Sequence, residues 1–211
     1  MNIPLQLNCF SCGEPNTPRI HLDQSSFDWT CKKCGHLHPS FLPLDFTIGP
    51  KLLYRSLYEL QIEKDYSLSI VLSATGLDSE LSNLFFKWTR IADGLAGRKF
   101  DEEACEKALL KFGNFIYKMT GVTELLHPGG GIEAFVSSSA EFTDALTRFP
   151  SLNQGSLAVD FHKTVFKPRN KILHQGVANF SEPDANKVWT IADLGLKMLL
   201  AMDIEKRATI P

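Results

Sequence analysis

The chain reads as a mainly α protein, with a helical bundle over about residues 50–205 preceded by a small β module over residues 1–45. Three observations lead there. Residues 1–45 hold four of the five cysteines and five of the eleven prolines among short alternating runs, a texture of strands and turns. From residue 50 onward apolar residues recur at spacings of three and four, the period of an amphipathic helix. A chain of 211 residues that is 44% hydrophobic and 22% charged can bury one substantial core and carry a small appendage.

In chain order, Arg19-Ile20-His21-Leu22 and Phe27-Asp28-Trp29 read as short strands. The run from Leu42 to Pro50, with prolines near both ends and Gly49, reads as a hinge. A first helix is expected over about 50–63. A second runs from about Asp65 to Leu95, because Ile70, Ala74, Leu77, Leu81, Leu84, Trp88 and Ile91 fall on one seam. A third covers about 101–119, with Asp101, Glu102 and Glu103 in the turn where the helix dipole favours acids and Gly121 beyond its end. His127-Pro128-Gly129-Gly130-Gly131 breaks the next stretch into short helices, and Ser137-Ser138-Ser139 interrupts it again. A helix starting near Ser156 carries Leu157, Phe161 and Val165. The last begins at Ser181-Glu182-Pro183, a cap followed by an early proline, and continues through Val188, Ile191, Leu194, Met198 and Met202.

Composition excludes some classes of function. A formal charge of −2 provides no global positive field, so any contact with nucleic acid must be a local patch. No run approaches the roughly 20 apolar residues that a transmembrane helix needs, so no membrane partner is expected. The N-terminal residues lack the pattern of a secretory signal, and a cytoplasmic location is expected.

Cys9-Phe10-Ser11-Cys12-Gly13 and Cys31-Lys32-Lys33-Cys34-Gly35 are two copies of one motif. Two residues between cysteines let both sulfurs face one tetrahedral metal, and the following glycine permits a tight backbone path. The separation of the pairs suits a zinc ribbon, with one structural Zn²⁺ held by Cys9, Cys12, Cys31 and Cys34. Four thiolates leave no open coordination position, so no catalysis is expected at the metal. Two disulfides would instead require an oxidising compartment. His36 and His38 could serve as ligands, but both cysteine pairs are intact. Cys105, alone in a helix, reads as a small core residue. Lys32 and Lys33, with Phe27 and Trp29, could contact nucleic acid by charge and stacking, although aromatics in so small a module more often fill its own core.

The other informative segment is Lys167-Pro168-Arg169-Asn170-Lys171-Ile172-Leu173-His174-Gln175-Gly176. It sets a permanent cation, an amide and an imidazole at the end of an amphipathic helix closed by glycine. Here the chain resembles the HEPN superfamily, helical bundles marked by an Arg, a polar residue and a His four to six residues beyond the Arg. Arg169, Asn170 and His174 fit that pattern. Within Ala74-Thr75-Gly76-Leu77-Asp78-Ser79-Glu80-Leu81, Asp78 matches the family's acidic residue best, with Glu80 as the alternative. The resemblance spans about residues 50–205 and leaves the ribbon outside.

The resemblance implies metal-independent endoribonuclease chemistry on an RNA partner. The 2′-OH attacks the adjacent phosphate, leaving a 2′,3′-cyclic phosphate and a 5′-OH. A His of ordinary pKa near 6.5 can move protons at neutral pH. An Arg fork can stabilise charge growing on phosphoryl oxygens. Family members typically build the site at a homodimer interface. The spacing agrees, since five residues at about 100° each set Arg169 and His174 roughly 140° apart on one ideal helix. An isologous dimer would bring two copies of each residue to one cleft. Lys167 and Lys171, with Lys163, extend a basic track suited to phosphates. The resemblance further implies a toxin-like or phage-defence role and an antitoxin or other regulatory partner protein. One known control modifies a Tyr two residues beyond the motif His, where this chain has Gly176. The alternative class is a non-catalytic, dimeric binding module whose ribbon contacts a protein or nucleic acid. His162, seven residues before Arg169, is a secondary candidate because Pro168 should interrupt the helix between them.

Overall fold

The computed structural model describes residues 2–4, 7–9, 12–16, 19–21, 27–40, 48–152 and 155–210. The chain is mainly α. Short strands occupy its first 40 residues, in three antiparallel pairs. Strands β1 (Asn2–Pro4) and β4 (Arg19–His21) pair with Ile3 opposite Ile20. Strands β2 (Leu7–Asn8) and β3 (Pro15–Asn16) flank the first cysteine pair, and β5 (Phe27–Thr30) and β6 (Leu37–Ser40) flank the second. Most of the expected hinge, residues 42–47, lies outside the described residues, as do the side chains of Phe27 and His38. Ile48, Gly49 and Pro50 are already the first turn of a helix, since a proline there loses no intrahelical hydrogen bond.

That helix, α1 (Ile48–Tyr58), continues through a π-helical turn at Glu59–Glu63 and stops at Lys64, in the left-handed region at φ 59°. Helix α2 (Tyr66–Leu95) then returns against it, capped by Asp65, whose carboxylate accepts from Leu68 N at 2.9 Å. The two helices cross at bare backbone. A Cβ on Gly76 would stand 2.8 Å from the Gly49 carbonyl oxygen, and one on Gly49 would stand 2.7 Å from that of Gly76. Ser56 reaches across to Ser73 Oγ at 2.6 Å and donates to the Ser69 carbonyl at 2.7 Å, all three serines being fully buried. The predicted seam of α2 is the core, with Ile70, Ala74, Leu77, Leu81, Leu84 and Trp88 buried and Ile91 at its margin. Each fully buried leucine or isoleucine there contributes about 1.5–3 kcal/mol.

The expected helix over 101–119 is broken. Helix α3 (Glu102–Leu110) ends, Gly113 turns left-handed at φ 68°, and Asn114 starts α4 (Phe115–Leu126) by accepting from Tyr117 N at 3.2 Å. Gly121 lies inside α4 rather than beyond a helix end, and it has a packing role. A Cβ there would come within 2.3 Å of the Phe112 ring. Short helices α5 (Gly131–Ser138) and α6 (Ala140–Thr147) come next, and Ser139 ends one and caps the other. The Gly-rich turn between α4 and α5 is tied down by Glu124, which accepts from Gly129 N and Gly130 N at 2.7 and 3.1 Å.

Helix α7 (Leu157–Phe161) runs through a second π-helical turn, His162–Phe166, into α8 (Lys167–Gln175). Pro168 therefore does not interrupt this helix. The wider turn, closed by Lys167 N on the His162 carbonyl, accommodates a ring that would clash in a regular α turn. Helix α9 (Glu182–Ala208) begins with a complete capping box of Ser181 and Asp184. It packs along α2, where buried Asp203 pairs with Lys87 and Arg207 and accepts from the Trp88 indole at 2.8 Å. Among the described residues no helix is long and apolar enough to cross a membrane.

Candidate functional site

The cysteine module is two copies of one loop. Cys9 N donates to the Glu14 carbonyl and Gly13 N to the Cys9 carbonyl, at 2.9 and 2.8 Å. Cys31 N and Gly35 N make the matching bonds at 2.9 and 3.0 Å. Gly13 and Gly35 take the same left-handed conformation, φ 71° and 69°, which permits the reversal. All four sulfurs lie within 4.8 Å of one another, Cys9 to Cys34 at 3.6 Å and Cys12 to Cys31 at 3.7 Å. A tetrahedral zinc with bonds of about 2.3 Å needs sulfurs about 3.8 Å apart, so the donors fit the ion.

Asn16, a residue that the motif does not mark, joins the two loops. It is buried, donates to the Glu14 carbonyl at 2.8 Å and to Cys31 Sγ at 3.5 Å, and accepts from Lys32 N at 2.9 Å. Backbone N–H groups of Cys34 and Lys33, with Asn16, draw the Cys31 thiol down to about 6. Glu14's backbone N–H favours the Cys12 thiolate, but burial and the neighbouring sulfurs push Cys12 up to about 12. So close a set cannot carry full negative charge without a cation between its members. Trp29 is buried, and Lys33 pairs with Glu14 at 2.9 Å. Two of the groups considered for contacting nucleic acid at the ribbon tip are thus committed within the chain.

In the helical region, a cavity of about 300 Å³ is lined by Asp78 and Thr75 of α2, residues 113–115, His162 and Phe166 of the π-turn, and Arg169, Asn170 and His174 of α8. The four residues singled out from sequence, Asp78, Arg169, Asn170 and His174, therefore line one cavity of one chain. All four are brought there by a single chain. Two positions along α2 are about 200° of rotation, so Asp78 and Glu80 face opposite ways. Glu80 is buried toward Gly49 of α1 and is absent from the cavity wall.

Each lining group has a definite setting. Asp78 is held by Lys118 of α4, whose Nζ donates to its carboxylate at 2.7 Å and to Ser82 Oγ at 3.0 Å. The carboxylate remains 42% exposed on its other side. Asp78 and Arg169 form no ion pair with each other. Arg169 is half-buried and donates through Nη1 to Asn170 Oδ1 at 2.9 Å, while its Nε is buried with no acceptor among the described residues. An unsatisfied buried donor costs about 1–3 kcal/mol. His174 is exposed one residue before the helix end, where Gly176 turns left-handed at φ 64°. Lys167 and Lys171 are exposed, make no ion pair among the described residues and stand outside the cavity lining. Lys163 pairs with buried Asp160 at 3.7 Å.

The same cavity takes in His162, a secondary candidate from sequence, and residues 113–115, which the sequence reading did not single out. His162 lies parallel to Phe166, with ring centroids 6.4 Å apart, and Phe166 stacks on Phe115 at 3.7 Å. Burial, and then the positive charge of Lys167, hold its imidazole below the usual histidine range. The adjacent Gly113-Asn114 pair is a stop-and-start signal, a left-handed residue followed by a good N-cap, and would have revealed the break. Comparison with protein-family models, curated proteins and solved structures finds no match for this chain.

Proposed function

We propose that this chain is a metal-independent endoribonuclease of HEPN type, acting in the cleft between α2, α4 and α8, with a structural zinc ribbon at its N-terminus. The observation that carries the reading is the wall of one cavity: two imidazoles, a guanidinium with an unsatisfied buried Nε, an amide and a carboxylate. Those groups suit attack within RNA. A ribose 2′-OH adds to the adjacent phosphorus, its proton passes to an imidazole, the P–O5′ bond breaks, and O5′ takes a proton from the second acid. His162, held below its usual pKa, is neutral at pH 7 and suited to accept the first proton; His174 then supplies the second. Arg169, oriented by Asn170, stabilises the phosphoryl oxygens. Asp78, held by Lys118, orients the groups around it. Lys167 and Lys171 guide the flanking phosphates.

We further propose that two chains pair about a two-fold axis through α8, joining their clefts. Helix α8 buries none of its residues within the chain and leaves Leu173 49% exposed, a cost that a second copy would remove. Regulation by an antitoxin-like partner and a role in defence or growth arrest belong to the same reading.

Purified protein should cut single-stranded RNA with EDTA present and leave cyclic-phosphate ends. His174→Ala should lose about 100-fold or more of that rate while keeping its fold and oligomeric state. Equal cleavage by wild type and variant would remove His174 from the site, and no cleavage by the wild type would assign the chain to the non-catalytic binding modules.

A further inference from the structure

A second cavity of about 250 Å³ adjoins the first. The two share Asp78, Gly113, Asn114 and Phe115, so the loop that breaks α3 from α4 is a wall between them. The second cavity differs in character: beyond the shared wall it is lined by Leu109, Leu110, Phe112 and Lys118. Lys118 is committed to Asp78 and Ser82, so the remaining lining is apolar. Phe112 is fixed in place. Its ring is perpendicular to that of Phe85, at 85° with centroids 5.5 Å apart, and Gly121 lets it lie against α4 where a methyl group would stand 2.3 Å away. Leu110, on the rim, is 77% exposed. An immobilised, half-exposed aromatic ring with leucines beside it, one loop away from an unsatisfied arginine donor, is a stacking surface next to an anion site.

We infer that this second cavity is a subsite for the nucleobase of the nucleotide adjoining the scissile phosphate, with Phe112 as its platform and Leu109 and Leu110 as its sides. The inference rests on the ribonuclease reading and deepens it. A base has an apolar face of the size to cover the ring, and it follows its phosphate at the short range that the shared wall sets. Stacking of this kind tolerates any base and strengthens binding about 10-fold or more per base. The enzyme would then require a base at one neighbouring position without selecting its identity by hydrogen bonds.

A deoxyribose strand with a single ribonucleotide confines cleavage to one phosphate. Replacing the neighbouring base by an abasic residue, first on one side and then on the other, should lower kcat/KM roughly 10-fold on one side only. Phe112→Leu, and Leu110→Ala at its exposed position, should lose much of that preference, the ratio of kcat/KM on intact and abasic strands falling toward one. Cleavage indifferent to the abasic residue would overturn the subsite and leave the ribonuclease reading standing. If no strand is cut, the ribonuclease reading falls. The subsite is then judged on fluorescence anisotropy with the all-deoxy strand. Affinity that depends on the base and is lost in Phe112→Leu upholds it, and affinity independent of the base overturns it.

Discussion

At the scale of residues, the cleft is defined by groups whose needs the chain leaves unmet. Arg169 Nε has no acceptor among the described residues, and burial, then the charge of Lys167, disfavours the protonated form of His162. The histidine gives a stability prediction with a definite sign. Its folded pKa lies below the unfolded value of 6.5, so the folded state binds the proton less readily. Its contribution is fully present above pH 6.5 and is lost as pH falls toward the folded pKa. The urea midpoint should accordingly drop less between pH 7 and pH 5 in His162→Gln than in wild type, and identical slopes would show that His162 is not desolvated. The cysteines were the most legible residues, since spacing alone brings them together. Arg169, Asn170, His174 and Asp78 were legible as a set through a family resemblance, and the structure brings them to one cavity. Asn16 could not have been found, because a single asparagine carries no period and its role depends on two loops meeting.

At the scale of elements, two joints carry predictions. The crossing of α1 on α2 leaves no room for a side chain at Gly76, where a Cβ would meet the Gly49 carbonyl at 2.8 Å. Gly76→Ala should destabilise by about 1–3 kcal/mol in urea unfolding despite the roughly 1 kcal/mol gain in helix propensity. A variant as stable as wild type would mean that the helices are further apart than described. The second joint is the set of four converging cysteine sulfurs, positioned to hold a metal ion. Freshly purified, reduced protein should contain one zinc per chain, and chelation should abolish amide protection in the strands through β6 while leaving α2 and α9 protected. Protection unchanged without metal would remove the zinc assignment. Helix periodicity located α2 to within a residue or two because one face of it is continuous core, and the Ser181-Glu182-Pro183 cap marked the start of α9, which runs to Ala208, beyond the last residue followed from sequence. The acids at 101–103 marked a helix start correctly, but Gly121 was not its end, because the local stop at Gly113 and the new cap at Asn114 break the segment.

At the scale of the whole molecule, the prediction concerns assembly. Light scattering at micromolar concentration should report twice the mass of one 23.6 kDa chain, and Leu173→Glu should shift it toward monomer with α-helical content intact. A monomeric wild type would confine any chemistry to the single-chain cleft. The mainly α architecture was legible from composition and period, but two parts of the cleft wall were not, because they are places where regular helix fails. One wall is the gap before Asn114, and the other is the widened turn from His162 to Phe166. Such a turn accommodates one surplus residue, and it sets the angular phase between α7 and α8. Deleting a single residue there would rotate α7 by about 100° relative to α8, carrying Phe161 out of the core to which Gly195 admits it. Substitutions along this helix are thus a matter of degree, whereas a change in its length by one resets which side chains look inward, and the chain should tolerate the former far more readily than the latter.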